Sequence, residues 1–176
     1  MTSVATASPE RVGIVDSFAA QARLRMTVGL PVIILGSLLL WYGGNTDRNA
    51  IALIGSLHVS YVVLAYALSY RLHPRFASPC STATAIFDPL LLTAWLPWMG
   101  EHGVLVVCFY LFTTLGYGFR VDARSMMVCQ LTSLAGLTLT IAITPFWQQH
   151  YLIWWSCAVS LVVVPLYASV LIKQLQ

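Results

Sequence analysis

Apolar residues run through this chain in long blocks, with polar residues confined to short gaps between them. A helix needs about 20 apolar residues to cross about 30 Å of hydrocarbon. Six blocks approach or reach that length: residues 24–42, 50–70, 83–99, 103–119, 125–143 and 151–172. The punctuation agrees. Gly43-Gly44-Asn45 closes the first block and Pro145 the fifth, while Pro89 and Pro97 interrupt the third and Pro165 lies inside the sixth. The pattern predicts an all-α polytopic membrane bundle of about six transmembrane helices, five being the alternative count, with short loops that make consecutive helices antiparallel neighbours. Residues 23–176 form a single transmembrane domain. Residues 1–22 read as a cytoplasmic tail without signal-peptide features. Within the tail, residues 12–24 are weakly amphipathic, so that Ile14, Val15 and Phe18 either lie on the membrane surface or belong to a disordered segment.

Composition sharpens this picture. Hydrophobic residues make up 59% of the 176 positions and charged residues only 9%, against roughly 25% charged in a soluble domain. Such a chain takes lipid as its solvent. The charges also orient it. Eight of the nine basic residues (Arg11, Arg23, Arg25, Arg71, Arg75, Arg120, Arg124 and Lys173) fall on one side of a six-helix arrangement, leaving only Arg48 on the other. By the positive-inside rule both termini are then cytoplasmic. No basic run interleaved with aromatics points to nucleic acid. Trp41, Tyr42, Trp95, Trp98, Phe146, Trp147, Tyr151, Trp154 and Trp155 crowd the far ends of the helices. They read as an interfacial belt, or as the roof of a ligand pocket beneath that surface. Cys80, Cys108, Cys129 and Cys157 have no metal-site spacing and read as packing residues.

Asp88 is the one acidic residue inside an apolar block. A carboxylate in hydrocarbon is costly and belongs in the bundle interior. Ser81, Thr84, Asp88 and Trp95 recur at helical spacing and define the inward face of the third helix. Arg120 or Arg124 is expected to reach Asp88 from the cytoplasmic side. The acid is then either a switch, whose protonation or pairing alters helix packing, or a satisfied interior group. Pro89 should kink the third helix, with Asp88 capping a restarted half-helix. His58 reads as a hydrogen-bonded core histidine. His102 and His150 lie in far-side loops where, with Glu101, they offer the donors of a pH- or metal-responsive patch. No metal or cofactor is expected. No HExxH, GxSxG, P-loop or dinucleotide fingerprint is present, which argues against an enzyme.

Four runs carry a family resemblance: IFDPLLLTAWLPWMG, LFTTLGYGFRVDARSM, TPFWQQHYLIWW and VVVPLYASVL. Their order and spacing resemble the membrane input domain of the RpfC family of sensor kinases for diffusible signal factor. The matching positions are Asp88, Gly116, Gly118, Arg120, Pro145, Trp147, Pro165, Leu166 and Tyr167, across about residues 87–171. Tyr117 stands where the family has Asn, and Pro89 follows the aspartate where the family has an aromatic or aliphatic residue. With no kinase region after Gln176, the chain is similar to the kinase-less branch of that family, RpfH. The resemblance implies a sensory or regulatory role in two-component, quorum-sensing signal transduction, in a bacterial inner membrane. It also implies a cis-2-unsaturated fatty acid as signal and a related sensor histidine kinase as partner, beside membrane lipid.

The residues therefore support a non-catalytic sensory or regulatory membrane protein, with a small proton-coupled transporter using Asp88 as the alternative and a lipid enzyme ranked below both. Ligand-binding or switch candidates are Asp88, Arg120, Arg124, Trp95, Trp98, Trp147, His102 and His150. Pro89, Gly116, Gly118, Pro145, Pro165 and Tyr167 are candidate structural positions.

Overall fold

The computed structural model describes residues 9–43 and 47–175. Eight α-helices follow one another: α1 (Pro9–Leu24), α2 (Leu30–Tyr42), α3 (Arg48–Ser69), α4 (Pro74–Met99), α5 (Gly103–Arg120), α6 (Ala123–Ile143), the short α7 (Pro145–Gln149) and α8 (Tyr151–Leu175). Among the described residues, five continuous stretches are long and apolar enough to cross a membrane. One of these, Phe76–Arg120, is 45 residues long. It comprises α4 and α5, joined by a tight 3₁₀ turn at Gly100–His102 in which Gly100 has φ +49°. Contacts between Asp88 and Tyr117 and between Thr93 and Tyr110 show that the two helices fold back on each other. Among the described residues the bundle thus has five apolar stretches of crossing length, one of them the folded-back pair α4–α5, in an all-α membrane-type fold.

Local chemistry sets the helix ends. Asp47 caps α3, its Oδ1 accepting from the backbone N–H of Asn49 at 2.9 Å, and Asp122 caps α6 through the N–H of Ser125 at 2.5 Å. Pro145 occupies the first position of α7 after an extended Thr144, so the predicted stop of the fifth block is real. Antiparallel packing follows from these short connections. Gly118 meets Met126, Thr114 meets Cys129, Gln130 reaches the Leu161 carbonyl and Trp154 that of Leu137.

Three expectations are corrected. First, the N-terminal residues from Pro9 are helical, and α1 continues through a π-helical turn (Arg25–Gly29) into α2. Phe18 is 3% exposed and Ala22 fully buried, so this part of the supposed tail is neither a free segment nor a helix on the membrane surface; it packs against α3 and α4. Residues 1–8 and the side chains of Ile14 and Val15 lie outside the described residues. Pro31 explains the wide turn. Its ring clashes with the carbonyl four residues earlier and it has no N–H to give; widening to an i→i−5 bond, Leu30 N–H to the Arg25 carbonyl, relieves the crowding. Second, α4 runs through Pro79, Pro89 and Pro97 as one 26-residue helix, so there is no restarted half-helix for Asp88 to cap. Third, Trp95 and Trp147 are 6% and 0% exposed and form core, with Leu96, Tyr110, Leu137 and Leu161, rather than a belt. Tyr42, Trp98, Tyr151 and Trp155 do stay on the outer surface.

Candidate functional site: a buried ion pair laced by tyrosines

Asp88 projects from the inward face of α4, where Ser81, Thr84 and Trp95 are buried beside it as the helical spacing predicts. Its partner is Arg25, not Arg120 or Arg124. The Arg25 Nη2 lies 2.7 Å from Asp88 Oδ2, and Nε lies 3.0 and 3.1 Å from the two carboxylate oxygens. This fork geometry makes a guanidinium a better partner for a carboxylate than an ammonium. Tyr61 of α3 donates to Oδ1 at 2.7 Å and Tyr117 of α5 to Oδ2 at 2.9 Å. Tyr117 also accepts from Arg25 Nη2 at 2.5 Å, closing a ring of three groups. The guanidinium carbon sits about 6 Å from both tyrosine ring centres, a cation–π arrangement on two sides.

Four segments of the chain therefore converge on one carboxylate. Each contributes for a local reason. Arg25 opens the π turn, Tyr61 lies three residues after His58 on the buried stripe of α3, Asp88 is on the inward face of α4, and Tyr117 is fully buried on α5. Removing two charges from water is expensive, and a dry pair holds only when the remaining lone pairs and protons also find partners. Asp88 is fully satisfied. Arg25 is not, because its Nη1 is buried without a partner.

The other candidates disperse. Arg120 is exposed and donates to Gln21 Oε1 at 3.1 Å, tying α5 to α1, and Arg124 is exposed. Gly116 faces those same two side chains, Arg120 and Gln21, while Gly118 leaves room for Met126. Trp147 donates to the Leu96 carbonyl at 3.3 Å and fills the space left by Gly103. His58 behaves as a core histidine, accepting from Trp95 Nε1 at 3.1 Å. His150 stacks on Phe146 and pairs with its carbonyl at 2.8 Å, and His102 is exposed. Among the described residues no three His, Cys, Asp or Glu side chains gather as metal ligands, so His102, His150 and Glu101 do not form the conceivable far-side metal patch. Pro165 is buried, whereas Tyr167 is 66% exposed on the outer face. All four cysteines are free thiols.

Sequence reasoning missed Arg25, Tyr61 and Gln21. Arg25 reads in the sequence as one of the cytoplasmic-side charges at the edge of the first apolar block; its place six residues before Pro31 is the one signal that sets it apart. Tyr117 was noted only as a replacement, yet its hydroxyl binds Asp88 directly. The class defined by fold and site is a polytopic α-helical membrane bundle organised around a buried Arg–Asp–Tyr–Tyr cluster. No protein family, curated protein or solved structure matches this chain.

Proposed function

We propose that this protein is a non-catalytic sensory or regulatory module of a bacterial inner membrane, with the Arg25–Asp88 pair as its switch. The observation that carries the reading is the convergence of the N-terminal helix, α3, α4 and α5 on the Asp88 carboxylate. A cluster that is either closed or open gives packed helices two discrete arrangements, which is what a membrane signal must bias. The resemblance to the input domain of a diffusible-signal-factor sensor supplies the context: quorum sensing, a cis-2-unsaturated fatty acid as signal and a related sensor histidine kinase as partner. A carboxylate already held by an arginine and two tyrosines suits a switch better than a proton carrier, which must release and rebind its proton in each cycle.

The test measures the distance between spin labels on α1 and α4 in lipid nanodiscs, with and without a cis-2-unsaturated acid, beside a membrane two-hybrid assay against sensor kinases. The reading expects a discrete distance change that Asp88→Asn reproduces without ligand, and association with a kinase. Absence of both the distance change and any kinase association would sink it.

A further inference from the structure

A cavity of about 110 Å³ opens beside the ion pair, several times the space one water needs. Its floor is polar and buried: Arg25, His58 and Asp88 are 9%, 6% and 6% exposed. Its mouth is apolar and faces outward, with Val28, Val32 and Phe112 between 37% and 49% exposed. In a helix of membrane-crossing length that outer face meets acyl chains. The cavity therefore connects the hydrocarbon directly with the charged cluster.

Among the described residues, one donor at the floor, Arg25 Nη1, is buried without an acceptor. His58 accepts from Trp95 at Nδ1, so a neutral ring carries its proton on Nε2. A buried, unpaired N–H on a charged group is costly and recruits an acceptor if one can enter. The acceptor must carry no charge. Arg25 is already balanced by Asp88, so an anion would add an unbalanced charge in a low-dielectric site.

We propose that this lateral cavity binds a single-chain membrane amphiphile whose head is an uncharged hydrogen-bond acceptor, such as a hydroxyl, an ester carbonyl or a protonated acid. The head accepts from Arg25 Nη1, and the chain leaves between Val28, Val32 and Phe112 into the bilayer. The site is the one proposed above as a switch, and the inference rests on that reading only for what occupancy does to the ion pair; binding stands on the cavity and its unpaired donor.

The experiment uses the full chain in nanodiscs with a diazirine-bearing long-chain alcohol as photoaffinity probe, adducts being mapped by mass spectrometry. Competitors of equal chain length are the plain alcohol, the alkane and the carboxylate at alkaline pH. A hydrogen bond from a charged donor is worth about ten-fold or more in affinity. Adducts are expected on the α2 and α5 walls, suppressed by the alcohol at about ten-fold lower concentration than by the alkane or the carboxylate. Val32→Trp, which fills the mouth, should abolish these adducts, whereas Leu35→Trp on the lipid face outside the cavity should leave them unchanged. Arg25→Lys should erase the preference for alcohol over alkane; Val32→Trp decides the matter if that variant does not fold. Equal competition by the alkane, stronger competition by the carboxylate, or adducts spread over all outer helix faces would each overturn the proposal. None of these outcomes bears on kinase association or on the α1–α4 distance, so the two readings fail separately.

Discussion

The hydroxyl of Thr93 lies where any side chain at position 136 would have to place its Cβ. Thr93 cannot easily yield, because its hydroxyl also bonds the Pro89 carbonyl and the Tyr110 hydroxyl, each at 2.7 Å. Gly136 thus sets the closest approach of α6 to α4, in the manner of small residues at membrane helix interfaces. Gly136→Ala should destabilise the bundle by about 1–3 kcal/mol through overpacking. Thermal unfolding in detergent, followed by tryptophan fluorescence, would show it. Gly36→Ala is the control, since nothing lies within 4 Å of a Cβ there; equal losses for the two variants would contradict the account.

Asp88→Asn leaves the Arg25 charge buried without a counterion. Breaking a buried pair from one side costs about 3–5 kcal/mol, while replacing both partners by apolar residues is often nearly neutral. The double variant Arg25→Met/Asp88→Leu should therefore be markedly more stable than either single charge deletion. A double-mutant cycle by reversible denaturation would detect this, and simple additivity would show that the two groups do not act as a unit.

Tyr61→Phe and Tyr117→Phe each remove a hydroxyl that donates to the carboxylate. Hydrogen bonds to charged groups contribute about 1.5–3 kcal/mol. Tyr117→Phe should cost more, because its hydroxyl also accepts from Arg25. Comparable unfolding midpoints for both variants and the parent would argue that the cluster is loosely held.

Trp147 is fully buried against Gly103, whereas Trp155 is 58% exposed. Trp147→Ala should cost about 3–5 kcal/mol as a core deletion. Trp155→Ala should scarcely move the unfolding transition and should act on lipid contact only. The same thermal assay separates them.

Antiparallel packing brings the chain near Arg71, Arg120 and Arg124 to one end of the bundle and the turn at Gly100–His102 to the other. The positive-inside rule then predicts that reporters fused at either terminus, or after Arg71, report the cytoplasm, and that a reporter at Gly100 reports the opposite side. Termini found in different compartments would reverse this arrangement.

Much of the architecture was legible in the linear order of residues. Long apolar blocks and Pro145 determined where α3, α5, α6 and α8 lie, because hydrocarbon leaves a backbone few choices other than the helix. The inward face of α4 was equally plain, since Ser81, Thr84, Asp88 and Trp95 share one helical stripe and only an interior can hold a carboxylate. What the sequence left open was the partner of that carboxylate. Arg25, Arg120 and Arg124 all sit near the same end of the bundle, and nothing in their spacing from Asp88 ranks them. The tertiary structure chose Arg25 because Phe18, Gln21 and Ala22 carry α1 into the bundle, and the wide turn before Pro31 presents Arg25 to α4. Helix positions follow from local hydropathy, which each segment carries by itself. Ion pairing and burial depend on which faces meet, and that is settled only when four helices close around the same point.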